Sequence, residues 1–293
     1  MTQLKKETPD RMTEAWRRHE RRWKDNLFVY AVVSRRSRGV SVGLNLNPDR
    51  ACNFNCIYCQ VNRHLPAALH KVDLRLLEEE LNTILRAEQN GSLYQEAPFN
   101  VLTRAEQGVR DIAFSGDGEP TAYARFEDAV RIAAGARRRF GLNSAKLVLL
   151  TNAANLHKPS VRAALKVMDE NNGEIWAKLD AGSEEYFRIV NRTKVPLKRI
   201  LDNILSAARI RPVVIQSLWF RIDGDMPQPG EIEAYCSCLN GLVSSGAQIK
   251  AVQLYTIARD PADAGVTPLS AAELNAIAST VRRRIPAPLE VFP

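Results

Sequence analysis

Histidine and cysteine are scarce in this chain, at four and five residues of 293. No stretch approaches the roughly eighteen consecutive apolar residues that a membrane span needs. The opening segment, MTQLKKETPDRMTEAWRRHERRWKD, lacks the apolar core of a signal peptide. These absences give the expectation of a cytoplasmic protein with no membrane partner. So few cysteines, and an odd number, exclude a disulfide scaffold and point to metal or redox work in a reducing compartment. None of the cysteines precedes Cys52, and the histidines His19, His64, His70 and His157 show no ligand spacing. Low-complexity tracts and internal repeats are absent as well.

The residues that are present bound the answer further. The length suits one large α/β domain or two smaller ones. Lys and Arg total 41 against 33 acidic residues, a formal charge of +8. That balance is compatible with nucleic acid or another anionic partner, and equally with a solubilising surface. Residues 1–27 are a basic extension carrying Trp16 and Trp23, with a short helix expected through Arg22, capped by Asp10 or Thr13. Residues 28–293 form the main domain.

Three cysteines, Cys52, Cys56 and Cys59, stand in the spacing C-x3-C-x2-C directly after an alternating apolar run, Val40 to Leu46. Thiolates are soft ligands that suit iron–sulfur clusters or zinc. An electron-carrying [4Fe–4S] cluster takes four cysteines; three leave one iron open, which fits a cluster that does chemistry. Zinc is the alternative, but it wants a fourth ligand, and only His64 and His70 lie nearby. Cys236 and Cys238 sit two apart in a helical stretch, point to different sides and are expected to be buried structural thiols.

Strands and helices alternate along the chain. Strands are expected at Val40–Asn47, Asp111–Ser115, Lys146–Leu150, Glu174–Leu179, Val213–Phe220 and Ile249–Thr256. Helices fall between and after them, from Val72–Ala87 to a last one opened by Ser270, and residues 89–110 are expected to be irregular. Six βα units predict an α/β fold, a partial (β/α)6 TIM-like barrel with a short helical N-terminal extension. Ligands in such folds sit at the carboxyl ends of the strands. The cysteine loop, Gly116-Asp117-Gly118-Glu119-Pro120, Thr151-Asn152 and Lys178/Asp180 all fall at such ends.

With those positions set out, the chain resembles the radical S-adenosylmethionine superfamily. The cysteine loop with Tyr58 before its last cysteine, and Gly118-Glu119-Pro120 after the second strand, carry the likeness. Further segments are similar to the subgroup related to the tRNA wyosine synthases: SRRSRGVSVGLNLNPDRACNFNCIYCQ, FSGDGEPT, LLTNAA, AKLDAG followed by Asn191-Arg192, and VQLYTIARDP.

The resemblance implies that Cys52, Cys56 and Cys59 hold a [4Fe–4S] cluster whose open iron is chelated by S-adenosylmethionine. It implies that Gly116, Asp117, Gly118 and Glu119 meet the methionine amino group, and that Tyr58 lies beside the adenine. Asn152, Lys178, Asp180 and Gln216 are then candidates for the cofactor's carboxylate or ribose, and Arg35, Arg36, Arg192 and Arg259 for a substrate anion. The implied activity is reductive cleavage to a 5′-deoxyadenosyl radical that takes hydrogen from a small-molecule or peptide substrate. Wyosine synthases carry extra cysteines before the cluster loop for a second cluster, and this sequence has none there, so one cluster is expected. An external electron donor of flavodoxin or ferredoxin type is expected, since no flavodoxin-like domain is fused. An RNA-modifying enzyme is the alternative, and a non-catalytic iron–sulfur or RNA-binding module a third reading.

Overall fold

The computed structural model describes residues 11–17, 23–63, 67 and 71–293. A short helix, α1 (Arg11–Arg17), comes first. Thr13 lies inside it rather than at its start; the expected cap Asp10 and the continuation to Arg22 lie outside the described residues, as do His19, His64 and His70. Trp23 is buried and Trp16 packs against the core.

The order then is β1 (Val29–Ser34), β2 (Gly39–Leu44), α2 (Leu74–Gln89), β3 (Val109–Phe114), α3 (Phe126–Arg139), β4 (Lys146–Thr151) and α4 (Pro159–Asp169). It continues with β5 (Gly173–Lys178), α5 (Glu184–Asn191), α6 (Leu197–Ala208), β6 (Val213–Leu218), β7 (Phe220–Ile222) and α7 (Pro229–Ser244). The last elements are β8 (Ile249–Tyr255), β9 (Val266–Pro268), α8 (Ala271–Arg284) and β10 (Leu289–Phe292). No helix among the described residues is long and apolar enough to cross a membrane.

Eight strands make one sheet in the order β1-β2-β3-β4-β5-β6-β8-β10. All neighbours from β2 onward run parallel, and β1 alone is antiparallel, folded back on β2 by a tight hairpin. This is the predicted partial barrel, its six βα units opening on β2, β3, β4, β5, β6 and β8. The strands are buried along most of their length because helices cover one face and the barrel interior the other. The interior holds a layer from successive strands: Ala113 pairs in register with Val148, and Leu150, Trp176, Val214 and Ala251 continue across. Alanine at both ends of that layer leaves room beneath the barrel mouth.

Five elements were not expected from the sequence, β1 among them. The strand predicted to reach Phe220 ends at Leu218, because Trp219 turns its ring inward onto Tyr235, centroids 5.2 Å apart. The chain resumes as β7, which pairs with β9 in a separate two-stranded sheet. The four-residue β10 adds to the sheet edge beside β8, and α5 is only eight residues long. The closing helix starts where predicted, Ser270 and Glu273 forming a reciprocal capping box. Glu80 on α2 fixes the start of β1, its carboxylate accepting from the amides of Leu27, Phe28 and Val29 at 2.7, 2.8 and 3.0 Å.

Candidate active site

The cysteine loop leaves β2 and is fastened by backbone rather than by regular structure. The amides of Asn55 and Ile57 donate to the carbonyls of Asn191 and Val190 at 3.1 and 3.0 Å. Those carbonyls close the last turn of α5, where a helix leaves acceptors without intrahelical partners. Phe54 packs edge-on against Phe187 of the same helix, centroids 5.8 Å apart. On the other side Ala262 donates to the Cys59 carbonyl at 3.1 Å. The helix absent from the sequence reading is therefore the one that holds the loop. Its signal was Ser183, which caps the helix through the Tyr186 amide at 3.2 Å, followed by two glutamates.

Each cysteine sulfur meets an N–H donor from a different direction. Asn191 Nδ2 lies 3.3 Å from Cys56 Sγ, Arg63 Nη2 3.6 Å from Cys59 Sγ, and Asn152 Nδ2 3.9 Å from Cys52 Sγ. Burial pushes the Cys56 thiol up to about 12, against the Tyr58 and Asn191 hydrogen bonds that favour the thiolate. Burial raises the Cys52 thiol too. Without a metal these thiols hold their protons; a bound cation would reverse that. Among the described residues no three Cys, His, Asp or Glu side chains converge on a single ion position.

The turn after β3 is laid directly against this loop. A methyl group on Gly118 would come within 2.0 Å of the Ala51 carbonyl, and one on Gly116 within 2.4 Å of Asn45 Oδ1. Only glycine permits such backbone approach. Asn45, at the end of β2, binds the Asp117 carboxylate and amide at 2.8 and 3.1 Å. Glu119 is buried. Its carboxylate accepts from Thr121, Thr151 and the Asn152 amide between 2.5 and 3.2 Å, tying the turn to β4. Burial raises its pKa in spite of these donors.

At the end of β5, Asp180 accepts from the Tyr58 hydroxyl at 2.5 Å and the Leu218 amide at 2.8 Å, and lies 3.3 Å from Lys178 Nζ. Lys178 also donates to the Tyr255 hydroxyl at 2.8 Å. Burial works to lower the lysine's pKa, but Asp180 and Tyr255 together outweigh it and the ammonium is held charged.

One cavity of about 240 Å³ gathers most of the predicted residues. The three cysteines, Tyr58, Gly116 to Glu119, Asn152, Lys178, Asp180, Arg36 and Arg259 share its wall. The remaining three stand elsewhere. Gln216 donates to Gln253 at 2.7 Å and, with Arg35, lines an adjoining cavity. Arg35 reaches the C-terminal Pro293. Arg192 faces outward in an ion pair with Asp263 at 2.9 Å. Its neighbour Asn191, Arg63, Asn45 and Tyr255 are the site residues that sequence reasoning missed. Cys236 is buried as expected; Cys238, expected to be buried too, is only half-buried and donates to the Gly182 carbonyl at 3.2 Å.

These features fit a cluster with a small organic ligand on its open corner. The donor set is three thiols with N–H groups around them, the glycine turn offers backbone where a Cβ would intrude, and Asn191 Oδ1 is buried with no partner among the described residues. The chain belongs to the Radical SAM superfamily, whose family model matches residues 46–221. A [4Fe–4S] cluster and S-adenosylmethionine are the cofactors of that superfamily.

The chain is similar to a UPF0026 protein of Helicobacter pylori strain J99, 29% identical over 192 residues, 64% of this chain and 54% of that protein. It thus spans about half the length of the curated relative it matches. Among solved structures it resembles TYW1 with a lysine-pyruvate adduct bound, at a TM-score of 0.53 and 14% identity, covering 93% of this chain and 81% of that one. It also resembles Streptococcus suis SuiB bound to S-adenosylmethionine, at 0.54 and 12%, over 88% and 48% of the two chains. At such identities the likeness is one of fold.

Proposed function

We propose that this chain is a radical S-adenosylmethionine enzyme with a single cluster, acting on a small-molecule or peptide substrate. The observation that carries the reading is the shared cavity, in which the three thiols of C-x3-C-x2-C face the glycine turn and the Lys178 ammonium. When bound, a reduced cluster would pass one electron to the sulfonium of S-adenosylmethionine, and the chemistry supplied would be its cleavage to methionine and a 5′-deoxyadenosyl radical able to take hydrogen from a substrate.

In this reading Cys52, Cys56 and Cys59 are the ligands, and Cys236 and Cys238, on a separate helix, leave the chain with thiols for one cluster. Backbone carbonyls of Gly116 to Glu119 accept from the methionine ammonium. Lys178 binds the methionine carboxylate, and Asp180 keeps the lysine charged and the Tyr58 ring in place. Asn152 and Asn191 orient ligands through their amides. The buried walls exclude water, which protects a radical from quenching. A separate reductant of flavodoxin or ferredoxin type delivers the electron.

Anaerobic reconstitution with iron and sulfide, followed by dithionite and S-adenosylmethionine, tests the reading. We expect 5′-deoxyadenosine and methionine in equal amounts. A protein carrying a full cluster that releases neither would overturn it. The net charge of +8 keeps an RNA substrate as the second reading. A phosphate-driven tRNA complex would weaken steeply as salt rises, and the small-substrate reading expects no such complex.

A further inference from the structure

Arg36 stands at the tip of the β1–β2 hairpin, in a turn closed by the Ser37 amide donating to Ser34 Oγ at 3.1 Å. Its guanidinium lies 5.3 Å from the ring centre of Trp176 on β5 and 5.2 Å from that of Tyr255 on β8. Two aromatic faces on neighbouring parts of the barrel fix the plane of the cation without using its N–H groups. Among the described residues the guanidinium has no hydrogen bond and no ion pair; beyond the two rings, only the charges of Asp111 and Arg35 act on it. A guanidinium carries five N–H donors and stays charged. Here they lie on the wall of the cavity that also holds the three cysteines.

A second cation stands close by. Lys178 Nζ is 5.4 Å from the same Tyr255 ring and is bound to Asp180, whose oxygens also serve Tyr58 and Leu218. The nearby acid Asp111 is buried and takes a 2.5 Å hydrogen bond from Ser41. With Lys178 given to the methionine carboxylate, Arg36 is the cation on this wall whose donors are all unused, and it makes a receptor for a second anion.

We propose that Arg36 anchors an anionic group of the substrate, a carboxylate or a phosphate monoester, taken by its guanidinium in the barrel cavity. The aromatic pair orients the fork in advance, so little side-chain freedom is lost on binding. An anion held there places the rest of a small molecule in the space running toward the cysteine loop. The inference rests on the radical reading only in calling the anion's owner the substrate; the receptor itself follows from the guanidinium and the rings.

Ligand-observed NMR on the cluster-loaded protein at constant ionic strength tests it with three methyl probes: acetate, methyl phosphate and uncharged acetamide. One or both anions should bind and acetamide should not. Acetate alone identifies a carboxylate, and methyl phosphate alone a phosphate ester. Arg36→Gln should weaken anion binding roughly tenfold or more, with cluster absorbance kept and S-adenosylmethionine affinity within about twofold of the native protein. If Arg36→Gln fails to load the cluster, Arg36→Lys decides: losing the planar fork should weaken binding about threefold.

Unchanged anion binding in whichever variant loads the cluster overturns the proposal, as does acetamide binding like acetate. So does a loss of S-adenosylmethionine affinity, which would make Arg36 a cofactor contact. A protein that binds anions through Arg36 but never cleaves S-adenosylmethionine would sink the radical reading and leave the anion receptor standing.

Discussion

The two ends of the barrel are built from similar side chains and serve opposite ends. At the amino ends of the strands, Glu174 on β5 lies between Lys146 on β4, at 3.0 Å, and Lys250 on β8, and takes the Trp176 indole N–H at 2.7 Å. Charge and hydrogen-bonding capacity there are mutually satisfied, and three strands are tied together. At the carboxyl ends, thiols face a cavity, Asn191 Oδ1 has no partner among the described residues, and the Arg36 guanidinium leans on rings without an ion pair. Satisfied polar networks hold a fold; groups with capacity left over in a cavity mark where a ligand belongs. The same scaffold thus separates stability from chemistry by distance along its strands.

Substitutions should divide along that line. The largest effect belongs to Cys56→Ala, which should abolish the visible absorbance of the reconstituted cluster while leaving the far-ultraviolet circular dichroism of the fold. A complete [4Fe–4S] spectrum in that variant would show the ligand assignment to be wrong. Gly118→Ala comes next, since its methyl group would collide with the Ala51 carbonyl. Overpacking of this kind costs about 3 kcal/mol, and denaturant melts together with cluster occupancy should both fall. Normal occupancy and stability would mean that the turn can retreat from the loop.

Glu174→Gln should act at the other end only, lowering stability by about 2 kcal/mol, discounted for the half-exposed lysines, with S-adenosylmethionine binding unchanged. Burial acts to raise the pKa of this carboxyl, but Lys250, Trp176 and Lys146 outweigh it and hold it below the usual range. Its contribution is therefore present above the ordinary carboxylate pKa and lost as pH falls through the native value. Urea melts at pH 7 and pH 3 should show the native protein and Glu174→Gln converging at the lower pH. A gap that widens on acidification would reverse the sign. Arg192→Ala should do least, within about 0.5 kcal/mol, because its ion pair with Asp263 is solvent-exposed. A larger loss of stability, or a loss of cluster, would bring Arg192 into the site from which its outward position removes it.

Much of the fold followed from periodicity. Six β-branched strands separated by amphipathic helices lie where they were expected, because burial on both faces leaves a continuous apolar run that is hard to miss. The elements that escaped are short: β1, α5, β7, β9 and β10 span three to eight residues and are each held by a partner distant along the chain. β10 needs the edge of β8, and α5 needs the cysteine loop hydrogen-bonded to its last carbonyls. The candidate site was legible in part for the same reason. Cys52, Cys56, Cys59 and the Gly116–Glu119 turn announce themselves by spacing and by place at strand ends. Asn191 and Arg63 do not, since an asparagine ending a short helix and an arginine in a loop are common on any surface.

Neighbouring residues make the limit plain. Arg35 and Arg36 are indistinguishable as sequence, as are Asn191 and Arg192 as places on a helix end. The hairpin turn sends Arg36 under the aromatic pair and Arg35 toward Pro293. The left-handed backbone of Arg192 (φ 42°) sends that side chain out while Asn191 faces Cys56. By itself the sequence determined the class of chemistry, through three thiols at one spacing and the residues that end parallel strands. Tertiary structure alone decided which of two adjacent side chains enters the cavity, because that depends on backbone torsions and on partners more than a hundred residues away.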